Sequence, residues 1–244
     1  MKRFVLVALV VGLAFAMSGA WALTLGPTVV GTWTSGWTAN NDGAEYWDNR
    51  SSDGTPPGNI GFQSFVAGES YLNDGSGGAV LDVWFTTSGP DWAAIKIEIA
   101  GLANQNKFGV YKQGDPSTKK QLFDGSAGPA SPPVVFNPIV ELGTTDFGFY
   151  LERGTPNTPG YVIWYSESSL NPDGDGQHFA FFTAPPLVPG LKAYYVGAED
   201  LKLNQSDRDY QDMVVYVANI PDASTWMLFL SGMPAVLMLR RKRS

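Results

Sequence analysis

The chain has 244 residues, with 16 basic against 23 acidic side chains, one histidine and no cysteine. Without cysteine there is no disulfide, thiolate nucleophile or thiolate metal site, and a single histidine excludes a zinc centre built on several. Six cations stand at the two ends, leaving residues 23–221 with ten cations against 22 acids, a net −12. Such a surface is a poor partner for nucleic acid and suits divalent cations, although solubility alone explains it as well.

Lys2 and Arg3 precede an apolar run, Phe4 to Met17, and Ala20-Trp21-Ala22 then forms a small-x-small site. This order predicts a signal peptide over residues 1–22, handled by the Sec translocon and cut by signal peptidase after Ala22. The mature chain then starts at Leu23. About 200 residues remain, enough for one sizeable core.

The next signals are strand signals. Thr38 to Gly61, rich in Asn, Asp, Gly and Ser, is expected to be a long loop region or a small subelement. Ile95-Lys-Ile-Glu-Ile99 alternates, which places Ile95, Ile97 and Ile99 on one face. Ala79 to Phe85, Phe147 to Leu151, Tyr161 to Tyr165, Phe179 to Phe182, Leu191 to Val196 and Met213 to Val217 are short β-branched or aromatic runs. Gly/Pro clusters separate them, and no long stretch keeps a 3.6-residue period. The pattern predicts an all-β domain over residues 23–219, a β-sandwich of jelly-roll type.

Two acidic segments are candidate calcium ligands. Asn171, Asp173, Asp175 and Gly176 match the first half of an EF-hand loop, but position twelve is Phe182 where Glu is required. Glu199 and Asp200 precede a loop that carries Asp207, Asp209 and Asp212. Asp207 and Asp209, two apart, point to one side of extended backbone. Calcium takes six to eight oxygens and suits such loops. The alternative is that these side chains cap turns, or pair with Arg208 and Lys202. His178 reads as a turn-flanking residue bonded to a nearby carboxylate or backbone group. No Gly-x-Ser-x-Gly elbow accompanies it, so no catalytic residue is assigned. Trp33, Trp37, Trp47 and Trp92 suit sugar stacking or core packing.

The chain closes with an uncharged apolar run, Ala223 to Leu239, and then Arg240, Arg241, Lys242 and Arg243. At about 1.5 Å per residue the run spans roughly 25 Å, a little under a bilayer core of about 30 Å. Pro234 is tolerated better in a membrane helix than in water, and Trp226 sits as an interfacial anchor. Basic residues at both ends place both ends inside and residues 23–221 outside the inner membrane.

The tail Ile220-Pro-Asp-Ala-Ser-Thr-Trp226, with its apolar run and basic end, resembles the PEP-CTERM sorting signal of Gram-negative exported proteins. That resemblance implies cleavage by an exosortase near Pro221, Asp222 and Ala223, and a setting in the cell envelope or the exopolysaccharide matrix. Asp222 stands where Glu is usual and Ala223 where a second Pro is usual, so a plain membrane anchor over residues 220–244 stays open. Gly197-Ala-Glu-Asp-Leu201 followed by Ser206-Asp-Arg-Asp-Tyr-Gln-Asp212 resembles a bacterial domain of unknown function found in secreted and adhesin-like proteins. The likeness runs over about residues 134–218 and implies a β-sandwich, with no established activity. The expectation is therefore a non-enzymatic exported protein with a structural or binding role. The alternatives are a calcium-dependent carbohydrate-binding or adhesive module, and a carboxylate-pair hydrolase acting on extracellular polysaccharide.

Overall fold

Short runs of aromatic and β-branched residues, broken by Gly and Pro, become strands because each can bury one face and end at a turn. The computed structural model describes residues 23–26, 69, 72, 82, 84–98, 103–173, 176–187, 189–202, 205, 210 and 212–220. The expected signal peptide with Ala22, the Thr38–Gly61 region, Asp175, Asp207 and Asp209 lie outside the described residues. So do Pro221, Asp222, Ala223, Trp226 and the closing cations Arg240, Arg241, Lys242 and Arg243. Among the described residues no helix is long and apolar enough to cross a membrane.

Eleven strands are described. They are β1 (Leu23–Gly26), β2 (Trp84–Thr87), β3 (Asp91–Glu98), β4 (Asn106–Lys112), β5 (Asp115–Phe123), β6 (Val134–Phe136), β7 (Asp146–Arg153), β8 (Val162–Tyr165), β9 (Phe179–Thr183), β10 (Ala193–Ala198) and β11 (Met213–Asn219). The only described α-helix is one turn, α1 (Pro138–Glu141), capped by Asn137 Oδ1, which accepts the amides of Ile139 and Val140. Contacts group Ala22–Asn219 into one unit.

The strands form two antiparallel sheets. The first has the order β1-β2-β7-β4-β5, and β8 also pairs with β7. The edge of β7 is shared: β2 takes Asp146 and Phe147, while β8 takes Tyr150 to Arg153. The second sheet has the order β6-β3-β11-β10-β9. Three of the pairings are nested in sequence, β4 with β5, β3 with β6 and β2 with β7, and they alternate between the sheets. The ladder between β3 and β11 shifts register, pairing Ile97 with Val214 and Ile95 with Val215.

Aromatic rings fill the space between the sheets. Phe85, Phe108 and Phe149 from the first sheet meet Phe179, Phe181 and Tyr194 from the second. Ring centroids are 5.9 Å apart for Phe85–Phe181, 5.0 Å for Phe85–Tyr194 and 6.5 Å for Phe108–Phe179. These contacts fix the sheets face to face, and each buried ring contributes roughly 1.5–3 kcal/mol. On β7, Gly148 makes room for the Tyr111 ring of β4. A Cβ there would lie 2.6 Å from both Tyr111 Cζ and Ser166 Oγ. Tyr111 is buried as a result, and its hydroxyl accepts the Glu167 amide at 3.1 Å.

β11 runs the length of the second sheet and so defines two ends of the sandwich. Seven residues at about 3.3 Å each separate them by roughly 20 Å. Asp212 precedes β11 at one end, and Asn219 closes it at the other.

Candidate functional site

The end at the start of β11 gathers buried polar side chains from both sheets. In the β10–β11 ladder Gly197 faces Val214, so the residues leaving β10 meet those entering β11. This brings Glu199 and Asp200 to Asp212, with one carboxylate oxygen of each within 4.8 Å of the others. In the β9–β10 ladder Ala198 faces Phe179, which sets His178 against Glu199. The first sheet contributes Asn106 and Arg153, directly paired at the ends of β4 and β7, and Trp164 from β8.

Asp200 is the hub. Its Oδ2 accepts Asn106 Nδ2 at 2.8 Å, and its backbone oxygen accepts both Arg153 Nη1 at 2.8 Å and Trp164 Nε1 at 2.9 Å. Its own amide donates to Asp212 Oδ2 at 2.8 Å. Glu199 Oε1 accepts the Leu201 amide at 3.1 Å. Glu199 and Asp200 are buried. Asp212 is half-buried, with its carboxylate turned inward onto the Asp200 amide.

Burial sets the electrostatics. It pushes the Asp212 carboxyl well above the usual carboxylate range, and the neighbouring charges of Glu199 and Asp200 push it further. Burial also raises Asp200, against a downward pull from Asn106 and Arg153. Three carboxylates this close cannot all stay charged without a cation; either they hold protons or an ion joins them. Asn106 is fully buried, and its Oδ1 has no hydrogen-bond partner although its Nδ2 touches Asp200. Three carboxylates with an oxygen each this close are a group that could hold a metal ion.

His178 is fully buried beside this cluster. Its ring lies flat on Trp164, with centroids 3.8 Å apart and planes at 9°. Nδ1 is 3.2 Å from the Glu199 carbonyl oxygen, and Nε2 is 3.0 Å from Asp173 Oδ2. Both ring nitrogens thus face oxygens. Burial lowers the imidazole, and Asp173 opposes that shift.

The two segments singled out in the sequence behave differently. Glu199, Asp200 and Asp212 come together. Asn171 does not join them: its Oδ1 accepts the Tyr165 amide at 2.7 Å, and its Nδ2 donates to the Tyr165 and Gly176 carbonyls. Those bonds make it a loop clasp. Asp173 faces His178. The sequence reading did not select Asn106, Arg153 or Trp164. They lie 36 to 94 residues from Asp200 and carry no local motif, so only the pairing of β7 with β4 and β8 reveals them.

Comparisons with protein-family models, with curated proteins and with solved structures give no match.

Proposed function

We propose that this is an exported protein of the cell envelope or extracellular matrix, with a structural or binding role, whose β-sandwich binds calcium at its acidic end. The observation that carries the calcium site is the meeting of Glu199, Asp200 and Asp212, with the buried Asn106 amide bonded to Asp200. The export reading rests on the signal-like start, the apolar tail and the Arg240–Arg243 cations. The nested pairs β4–β5, β3–β6 and β2–β7 support the jelly-roll assignment, in which a long hairpin is rolled across two sheets. The terminal helices belong to the same proposal.

Calcium in this position would neutralise the trio and fix the loop between β10 and β11. Loops at sandwich ends are where such domains carry binding surfaces. A calcium-dependent carbohydrate-binding or adhesive module is thus the more specific form of this reading. The hydrolase alternative is less favoured, because both carboxylates are buried and engaged, Glu199 with the Leu201 amide and Asp200 with Asn106 Nδ2.

The test takes the full chain, purified from membranes of a Gram-negative host. Millimolar calcium should raise its melting temperature over that in chelator, since an ion that binds only the folded state stabilises it by mass action. Magnesium should do so less. Identical melts in calcium and chelator would refute the metal site. A fusion of alkaline phosphatase after Val217 should be active in the periplasm, and an inactive cytoplasmic fusion would refute export.

A further inference from the structure

The opposite end of the sandwich holds another buried acid. Asp91 opens β3 and is fully buried. Its Oδ1 lies 3.4 Å from Asn219 Nδ2, and its Oδ2 has no hydrogen-bond partner. The ion pairs among the described residues join Lys107 and Lys119 to Glu152, Lys120 to Glu141 and His178 to Asp173, and none includes Asp91. Burial pushes its carboxyl up to about 8, against a smaller pull from the Thr87 hydroxyl. A carboxylate so placed is costly unless a cation meets it.

The same Asn219 amide receives a second group. Its Oδ1 accepts the Leu23 backbone N–H at 3.0 Å. Leu23 is fully buried and pairs with Thr87, four residues before Asp91. The Leu23 nitrogen and the Asp91 carboxylate therefore sit on one side-chain amide inside the protein. The small-x-small sequence Ala20-Trp21-Ala22 ends immediately before that nitrogen.

We propose that Asp91 and Asn219 form a receiving site for the α-ammonium group that cleavage after Ala22 creates at Leu23. This rests on the signal-peptide part of the functional reading. Hydrolysis breaks the Ala22–Leu23 C–N bond. Water supplies hydroxide to the Ala22 carbonyl carbon and a proton to the Leu23 nitrogen, and the amine takes one more proton from solvent. Before cleavage, Leu23 offers one N–H, already given to Asn219. After cleavage it offers three and carries a positive charge. One N–H keeps the Asn219 bond, and another turns to Asp91. The uncleaved chain thus holds a buried acid with no counter-ion among the described residues, and the mature chain holds an ion pair that ties β1 to β3 beside the Asn219 bond that ties β1 to β11. Removal of the leader becomes a step that locks the fold.

The experiment compares the full chain exported with its own leader against an Ala22→Tyr form, in which a bulky residue blocks the cleavage site. Each is made with Asp91 and with Asp91→Asn. Intact mass reads where each chain starts. At pH 7 the processed protein should melt about 5 °C above the blocked form. Asp91→Asn should lower the melting temperature of the processed protein, and should leave unchanged or raise that of the blocked form. The Leu23 α-amine should resist acylation in the folded processed protein and react in its Asp91→Asn variant. Equal effects of Asp91→Asn on both forms, or acylation of the native protein at the rate of a free peptide amine, would overturn the receiving site while leaving the leader reading intact. A mature mass that starts anywhere but Leu23 would overturn both.

Discussion

Replacing Asp212 with Asn tests whether the acidic end is electrostatically strained without an ion. One carboxylate oxygen from each member of the trio lies within 4.8 Å of the others. At 4.8 Å and an effective dielectric of about 20, two unit charges repel by roughly 3.5 kcal/mol. Asp212 is half-buried and the trio can take up a proton, so about 2 kcal/mol is the reasonable share at pH 8. The amide oxygen of Asn still accepts the Asp200 amide, so that bond survives. The sign follows from the raised carboxyl of Asp212. A group whose folded-state pKa lies above its unfolded value contributes stability that is full below the unfolded pKa and is lost as pH rises through the folded one. In chelator the native protein should therefore lose stability from about pH 4 upward, and Asp212→Asn should flatten that fall. About 2 kcal/mol corresponds to a rise of roughly 4–8 °C in melting temperature at pH 8 for a domain of this size. At pH 4 the two proteins should melt within about a degree of each other. In calcium the order should reverse, because the variant has lost a ligand. The assay is a set of circular-dichroism melts from pH 4 to pH 8 in chelator, repeated with calcium. An equal shift at pH 4 and pH 8, or a lower melting temperature for the variant at pH 8 in chelator, would refute the account.

Other outcomes follow from the same geometry. Trp164→Phe keeps an aromatic face for His178 but loses the 2.9 Å donor to the Asp200 carbonyl, and should cost about 1–2 kcal/mol by denaturant titration. Gly148→Ala forces a Cβ to within 2.6 Å of Tyr111 and Ser166, and should lower stability by at least about 1–3 kcal/mol; a neutral result would show that the Tyr111 ring moves freely. Intact mass of envelope and medium fractions should show loss of the tail after the Pro221–Ala223 region. Recovery of the full C-terminus alone would mean that Asp222 and Ala223 have left a plain anchor.

The all-β class was legible because buried strands announce themselves. Phe147 to Leu151, Phe179 to Phe182 and Met213 to Val217 fall within β7, β9 and β11, each rich in buried aromatic or branched residues. Strands β4 and β5 were not selected. The middle of β5 reads Ser-Thr-Lys-Lys-Gln, largely exposed, because it is an edge strand with little to bury. Its partner β4 is read only once β7 is known to lie on the other side. The acidic trio was half legible: Glu199, Asp200 and Asp212 stand close in sequence. Their supporting donors Asn106, Arg153 and Trp164 come from the facing sheet and leave no local trace. Asp91 was illegible for another reason, since a lone acid at a strand start usually faces water and only the structure buries it.

Leu23 and Asn219, the first and last strand residues of this unit, meet through one hydrogen bond of 3.0 Å. Ends that touch make the order of the chain almost independent of the shape of the fold. A short flexible bridge from Asn219 to Leu23 would keep the Leu23 amide and its acceptor, and the chain could then be opened at the exposed turn around Asn157, which already adopts a left-handed backbone. Such a circular permutant keeps every strand pairing of both sheets. By the same geometry, the unit can be inserted as a cassette into a surface loop of another protein, with entry and exit points only a few ångströms apart.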